Sequence, residues 1–581
     1  MNMSEIEDVE RVVDTGYGII RMLKEYGISR IFGIPDGHTL PLYDAILEID
    51  GIDHTLVNDE RTAIFAADAY SRVTGMLSVC DSGPAGAMNL PVGISEAAGF
   101  ASPILALIGT VKVKHLLRNV PHDIPIADTL KPITKWSENV IDVENVPRFL
   151  NYAIRQAING RPGPVSVIFP EDVLKAEKLK LENFLPMSGG SCSINSCRPI
   201  PPDGEIDYAV EMIANSEQPV IYSGSGAIRS GAYIEIKELS ESLKAPVFST
   251  ISGKGIMVSN DKNLYFGTVG LFGEAPNHSF LRKKTDLVIV IGNRLTEDDT
   301  AYFKFPPQYL PMIQIDIEPA EIGLNYRAWG VVGDPKAALN EILNHPKIKN
   351  PINSQKYSKL FEKRQSNIEW LRGAHKKYRE KDEKKWMNAD PIKPPRVIKA
   401  ISEAMKKEDY LVTDASSSSR WIGPYFPVKS IGRNIITPRG VGPTGFGLGA
   451  LLGTCLALKD LKENHSQVIL LTGDGGLMNG GISDLETIAK LKLDCCIVIL
   501  NNSALGFVKY GQAFLYHRRY YQTSRPATDF KKVVESFGGN GFNVEKLAEL
   551  DTVIHETIKS SGLNLVNVLI DEKALLPKNY Y

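Results

Sequence analysis

The chain has 581 residues, 43% hydrophobic and 23% charged, a globular composition that excludes wholesale disorder and allows about three to five domains. Lys plus Arg (66) nearly balance Asp plus Glu (68), and a net charge of −2 argues against nucleic acid as a partner. The longest apolar stretches, Ile104 to Val111 and Cys495 to Leu500, fall well short of the ~20 residues a bilayer needs. No membrane partner is expected. The stretch Met1 to Glu10 is acidic and polar where a signal peptide would be basic and then apolar, so the expected location is cytoplasmic. The six cysteines are too scattered for a disulfide framework, and Cys192 and Cys197 read as loop thiols rather than half a metal site.

Along the chain, Tyr17 to Tyr26 is amphipathic and Arg30 to Ile34 is a short apolar strand. The alternation returns at Ala63 to Tyr70, Leu77 to Cys80, Pro103 to Thr110 and Val165 to Phe169. It predicts a parallel sheet covered on both faces, in a first domain over 1–185. Met187 to Asp203, rich in Ser, Gly, Pro and Cys, reads as a linker. A second α/β domain over 200–345 has strands at Pro219 to Tyr222, Ala245 to Phe248, Leu287 to Ile291 and Met312 to Ile317. Its first strand runs into Gly224, Gly226 and Gly231, read either as a weak phosphate cradle or as a tight strand-to-helix turn. The stretch 346–389, dense in charges of both signs, reads as a solvated helical linker. A third unit fills 390–581. The predicted class is α/β, three doubly wound parallel-sheet domains, with a similarity of plan between first and third that suggests duplication.

The third unit carries the strongest chemistry. Gln467 to Leu471 is a strand ending in Thr472-Gly473-Asp474-Gly475-Gly476. A helical pattern through Ile482, Leu485, Ile488 and Leu491 follows, then a strand from Cys495 to Leu500 ending in Asn501-Asn502. Such a βαβ unit sets Asp474 and the Asn pair at the carboxyl ends of parallel strands, where open α/β sheets bind ligands. A carboxylate and a carboxamide oxygen are hard ligands suited to Mg²⁺, which often completes its shell with phosphate. Gly473, Gly475 and Gly476 allow backbone N–H groups close to phosphate oxygens.

This motif resembles that of the thiamine-diphosphate enzymes, most of all acetolactate synthase, with pyruvate oxidase and benzaldehyde lyase near by. The resemblance runs over nearly the whole chain, in the order pyrimidine domain, central domain, diphosphate domain. It implies thiamine diphosphate and Mg²⁺ as cofactors, with Asp474, Asn502 and the backbone carbonyl of Ala504 as metal ligands. An extra residue near Gly480-Gly481 keeps Asn501 as the alternate. In the first unit it implies that Glu60, within Asn58-Asp59-Glu60-Arg61-Thr62-Ala63, faces the pyrimidine ring of the cofactor, with Asp59 where His is usual. It also implies that Ser417 and Ser418 hydrogen-bond the diphosphate, that the Gly442 carbonyl receives the aminopyrimidine, and that Thr444 stands where a large hydrophobe usually props the cofactor.

On the substrate side, His38 stands where acetolactate synthases have a small residue and benzaldehyde lyase a proton-handling His, and His122 stands where they carry a glutamine. Both imidazoles are candidates for proton transfer near neutral pH. In the central unit, Arg294 to Asp299 and Asp316 to Ile322 resemble flavin-binding relatives. Phe272 and Thr300 replace a usual His and Arg, which leaves FAD and an empty or ADP-binding domain as alternatives. The implied activity is decarboxylation of a 2-oxo acid, pyruvate first, with carboligation; the alternatives are a 2-hydroxy ketone lyase or carboligase, or a pyruvate oxidase-like enzyme. The substrate partner is then a small 2-oxo acid or hydroxy ketone. The resemblance also implies a homodimer or homotetramer whose sites are shared between subunits.

Overall fold

The structure, a computed structural model, describes residues 10–186, 198–260, 262–349, 355–463 and 465–574. Cys192, Cys197 and most of the Ser/Gly/Pro-rich stretch lie outside these residues. The remaining cysteines, at 80, 455, 495 and 496, are buried free thiols.

The apolar runs form three six-stranded sheets, parallel throughout. The first has the spatial order Asp53–Leu56, Arg30–Gly33, Ser78–Ser82, Ile104–Thr110, Val165–Pro170, Trp136–Asn139. The third has the order Ile435–Ile436, Tyr410–Thr413, Val468–Gly473, Cys495–Asn501, Leu563–Leu569, Asn540–Val544. Numbered along each sheet, both read 2-1-3-4-6-5, so the similarity of plan seen in sequence is a shared topology. The central sheet reads 3-2-1-4-5-6, from Tyr265–Thr268 at one edge to Trp329–Val332 at the other. Its strand Leu287–Ile291 is buried at every position, as expected of a sheet with helices on both faces. Among the described residues no helix is long and apolar enough to cross a membrane.

The first and third sheets meet through one helix pair, Glu60–Thr74 and Phe446–Asp460, whose apolar residues belong to a single core. Small residues let the backbones close. A Cβ on Gly449 would lie 2.7 Å from the Phe65 Cβ, and one on Gly453 would run into the Ala66 carbonyl oxygen. Arg30 ties the two units at their far end, pairing with Asp460 at 2.8 Å.

The charged stretch does form a long helix, Gln355–Glu383, but it is not merely solvated. Ile368, Leu371 and His375 are buried, and the Arg364 guanidinium donates to the carbonyls of Ser216, Glu217 and Leu243. The mixed charge pattern hid a narrow packed stripe. The predicted helix after Asp474 also differs. It breaks into Asp474–Asn479, a 3₁₀ turn Ile482–Asp484 and Leu485–Lys490, divided where Gly481 takes φ +57°. In the central unit Gly231 is not part of the cradle; it ends the short helix Ser225–Ser230 in a left-handed cap.

Candidate functional site

In an open parallel sheet, ligands lodge outside the carboxyl ends of strands where the order reverses. In the third sheet the reversal lies between Tyr410–Thr413 and Val468–Gly473. The loops leaving these two strands and Cys495–Asn501 enclose a cavity lined by Ser417, Ser418, Gly442, Thr444, Gly473, Asp474, Gly475, Gly476, Asn502 and Ala504. Ten residues proposed from sequence thus converge on one space.

Asp474 is 4% exposed at the start of its short helix. Burial pushes its carboxyl above the usual range, while Arg525 at 3.7 Å and the amides of Gly475, Asp474 and Asn502 pull against it. The two asparagines differ. Asn501 ends its strand with its side chain buried in the sheet: its amide donates to Asn567 at 2.9 Å and its carbonyl oxygen accepts from the Ser503 N–H at 3.0 Å. Asn502 lines the cavity, its carbonyl oxygen accepting from the Ala504 N–H at 3.2 Å. The segment 503–505 is pinned by backbone bonds from Leu505 to Thr523 and from Arg525 to Ser503, both 2.8 Å.

Other positions take narrower roles than their spacing suggested. The Ser418 hydroxyl donates back to the Ala415 carbonyl at 2.7 Å, which leaves Ser417 at the helix start as the freer hydroxyl. A Cβ on Gly476 would lie 2.7 Å from the Thr472 hydroxyl and 2.8 Å from the Asp414 carboxylate. The glycine there serves packing. Thr444 is exposed on the turn, its carbonyl accepting from the Asn479 side chain at 2.7 Å.

In the first sheet the reversal lies between Arg30–Gly33 and Ser78–Ser82, and His38 sits on the loop leaving the former. Asp36 accepts from the His38 backbone at 2.9 Å and meets its Nδ1 at 2.7 Å. The His38 and His122 rings stand edge to face, their centroids 5.4 Å apart, with His122 exposed on a residue of φ +71°. Chain distance hid this pairing. Glu60 opens its helix behind an Asp59 cap that accepts from the Arg61 N–H at 2.8 Å. Its carboxylate accepts from the Asn89 amide at 2.9 Å. Glu60 is not among the residues lining the Asp474 cavity, all of which come from Pro394 onward.

The central reversal, between Pro219–Ser223 and Leu287–Ile291, opens a further cavity lined by Gly224, Gly226, Arg161, Arg229, Arg294 and Arg439. Burial, with Arg161, Arg433 and Arg72 near, pushes the Arg229 guanidinium down to about 9. Phe272 and Thr300 do not line this cavity. Thr300 donates to the Thr296 carbonyl at 2.6 Å, and Phe272 stacks under Arg420 with 5.0 Å to the ring centre.

Sequence reasoning missed two carboxylates that shape the site. Buried Asp414 accepts from the amides of Ala415 at 2.6 Å, Gly445 at 2.9 Å and Gly447 at 3.4 Å. Glu96, 0% exposed, reaches across from the first unit to the amides of Gly440, Val441 and Gly442 at 2.8–2.9 Å. Its other partner is Arg72 at 3.0 Å, itself paired with Asp68. Asp414 stands three residues before Ser417, and nothing in its local sequence marks it as the acceptor for the distant Gly445 and Gly447 amides. Glu96, alone on its helix, carried no sequence signal.

The chain matches three family models: the thiamine pyrophosphate enzyme N-terminal TPP binding domain over 13–130, the central domain over 206–342, and the C-terminal TPP binding domain over 414–568. A probable acetolactate synthase large subunit of Methanocaldococcus jannaschii is 32% identical, covering 96% of this chain and 92% of the relative. The acetolactate synthase large subunit of Porphyra purpurea is 31% identical with the same two coverages. The isozyme 3 large subunit of Escherichia coli is 30% identical, covering 95% and 94%. With all three domains matched in order on the sheets that build these cavities, the chain belongs to the thiamine-pyrophosphate-dependent enzymes.

Proposed function

We propose that the chain decarboxylates a 2-oxo acid, pyruvate first, and joins the resulting fragment to a second carbonyl compound, as the name of its acetolactate synthase relatives implies for them. The observation that carries the reading is the convergence of Asp474, Asn502 and Ala504 on one cavity at a topological switch point. This donor set, one carboxylate and two neutral oxygens beside the amides of the Gly473-Asp474-Gly475 turn, fits Mg²⁺ that shares a diphosphate. Asp474, the Asn502 carboxamide oxygen and the Ala504 carbonyl would hold the ion, with Ser417 and the 473–475 amides on the phosphates. Asn501 is not the proposed ligand, because its side chain is spent on Asn567 and Ser503. Thiamine diphosphate, when bound, supplies the electron sink that side chains lack. Glu60 would hold or move a proton at the pyrimidine ring.

A second cofactor is supported by the central cavity. Four arginines line it beside a Gly-rich turn; Arg439 pairs with Asp298 and Arg294 with Glu321, while among the described residues Arg161 and Arg229 donate only to carbonyls and fit the pyrophosphate of a dinucleotide such as FAD. A second reaction is favoured by the His38–His122 pair. Two imidazoles in contact can exchange protons with a hydroxyl, which suits a lyase or carboligase of 2-hydroxy ketones.

The test incubates purified protein with Mg²⁺, thiamine diphosphate and a panel of 2-oxo acids and hydroxy ketones, and identifies products by mass spectrometry. Carboligated product with loss of CO₂ from pyruvate, abolished in Asp474→Ala, is expected. Cleavage of hydroxy ketones without turnover of any 2-oxo acid would replace this reading by the lyase. Turnover by Asp474→Ala equal to the parent would refute the metal assignment.

A further inference from the structure

A second large cavity lies where the helix Gln355–Glu383 crosses the central domain and the end of the helix Ser417–Tyr425. Its walls are aromatic, with Tyr265, Phe266, Tyr378, Trp386, Tyr425 and Phe426. Most of its charges are already matched. Lys399 holds Glu383 at 3.2 Å and Glu403 at 3.7 Å. Asp382 accepts from the Tyr425 hydroxyl at 2.8 Å and the Trp386 indole at 3.2 Å. Arg379 and His375 each lie 3.3 Å from Glu274.

Lys254 differs in being a buried cation with no carboxylate within 4 Å among the described residues. It is 4% exposed and lines the cavity, yet among the described residues its ammonium donates to a single acceptor, the Gly423 carbonyl at 2.9 Å. An ammonium carries three N–H donors, and a buried cation with two of them unfilled is costly unless an anion meets it. Burial, only partly offset by Glu274, pushes it down to about 8.

An independent observation comes from the opposite wall. Gly373 sits inside the long helix, where glycine is the least favourable residue short of proline. It lines the cavity, and a Cβ there would meet no heavy atom within 4 Å. The position is exposed, and no packing neighbour requires the glycine.

We propose that this cavity binds a small carboxylate with a flat apolar body, the carboxylate on the Lys254 ammonium and the body between the aromatic walls. The occupant would rest on an element shared with the diphosphate cavity, because the helix that begins with Ser417 and Ser418 ends in this wall at Tyr425.

Phenylacetate is a suitable probe and phenylacetamide its uncharged counterpart. Calorimetric titration into the full-length protein should show saturable binding of phenylacetate, with the amide at least about tenfold weaker, as loss of one charge-assisted contact implies. Lys254→Met should weaken phenylacetate by a similar factor. Gly373→Phe, which adds a bulky ring at a lining position free of clashes, should abolish binding while the far-ultraviolet circular dichroism stays that of the parent. Gly373→Phe carries the test alone if Lys254→Met does not fold. No saturable binding by the parent, or unchanged binding in Gly373→Phe, overturns the site. Equal affinity for acid and amide overturns the role of Lys254.

Discussion

Replacing Glu96 with Gln isolates the strut between the first unit and the turn that carries Gly442 and Thr444. The carboxylate serves four donors: the amides of Gly440, Val441 and Gly442, and Arg72. A carboxamide keeps one acceptor oxygen and turns the other into an NH₂. One oxygen takes Val441 and Gly442, so the NH₂ would face the Gly440 amide and the Arg72 guanidinium, donor against donor. Arg72 is buried and would keep Asp68 as its one carboxylate partner, beside the Thr437 carbonyl. Breaking one partner of a buried ion pair costs about 3–5 kcal/mol, and the retained Asp68 favours the lower end. Urea unfolding of the first cooperative transition should therefore shift by about 3 kcal/mol, and thiamine diphosphate should bind more weakly because the turn loosens. Glu182→Gln on the exposed surface is the control, expected within about 0.5 kcal/mol of the parent. A Glu96→Gln shift below about 1 kcal/mol would refute the strut.

Two further perturbations test the charge network and the assembly. Burial opposes ionisation at Glu274, but Arg379, His375 and Lys254 outweigh it and hold the carboxyl down at about 2, below its ordinary 4.5. A depressed carboxyl stabilises above the unfolded value and loses that stabilisation as pH falls towards the folded one, so the gap in unfolding free energy between parent and Glu274→Gln, about 3 kcal/mol near neutrality by urea titration, should shrink between pH 5 and 2.5; a constant gap refutes the linkage. Mixing inactive Asp474→Ala chains with inactive Glu60→Gln chains should restore part of the activity, since a mixed dimer holds one intact composite site; no recovery in mixed dimers confirmed by mass spectrometry refutes sharing.

What was legible in the sequence is what local physics writes there. Continuous apolar strands ending in Gly-Asp-Gly and Asn-Asn declared a parallel sheet and the oxygen donors at its edge, because burial on both faces and hard-ion chemistry each restrict residue type at a fixed position. The choice between Asn501 and Asn502 was not decidable that way. Side chains alternate along a strand, so one of the pair faces the cavity and the other the sheet, and only the partner strand's Asn567 shows which. The pairing of His38 with His122, the reach of Glu96 and the packed stripe on Gln355–Glu383 rest on contacts between residues far apart in the chain. Such contacts impose no spacing, and in the charged helix a few buried positions are swamped by the solvated majority.

The identical strand order of the first and third units explains why the chemistry is divided. Each unit offers one crevice at its own switch point, and the proposed roles divide between them: proton transfer for Glu60, His38 and His122 on the first, metal ligation for Asp474, Asn502 and Ala504 on the third. Within one chain the small-residue faces of Glu60–Thr74 and Phe446–Asp460 are spent on each other, and the Glu60 carboxylate, bonded by Asn89, is not among the residues lining the Asp474 cavity. If the cofactor touches both sets, as proposed, it would draw on a crevice from each of two chains, which is what the mixing experiment tests. A symmetric pair of such chains would close two equivalent sites at once, because whatever the first unit of one chain offers to its partner's third unit is offered back by the same rotation.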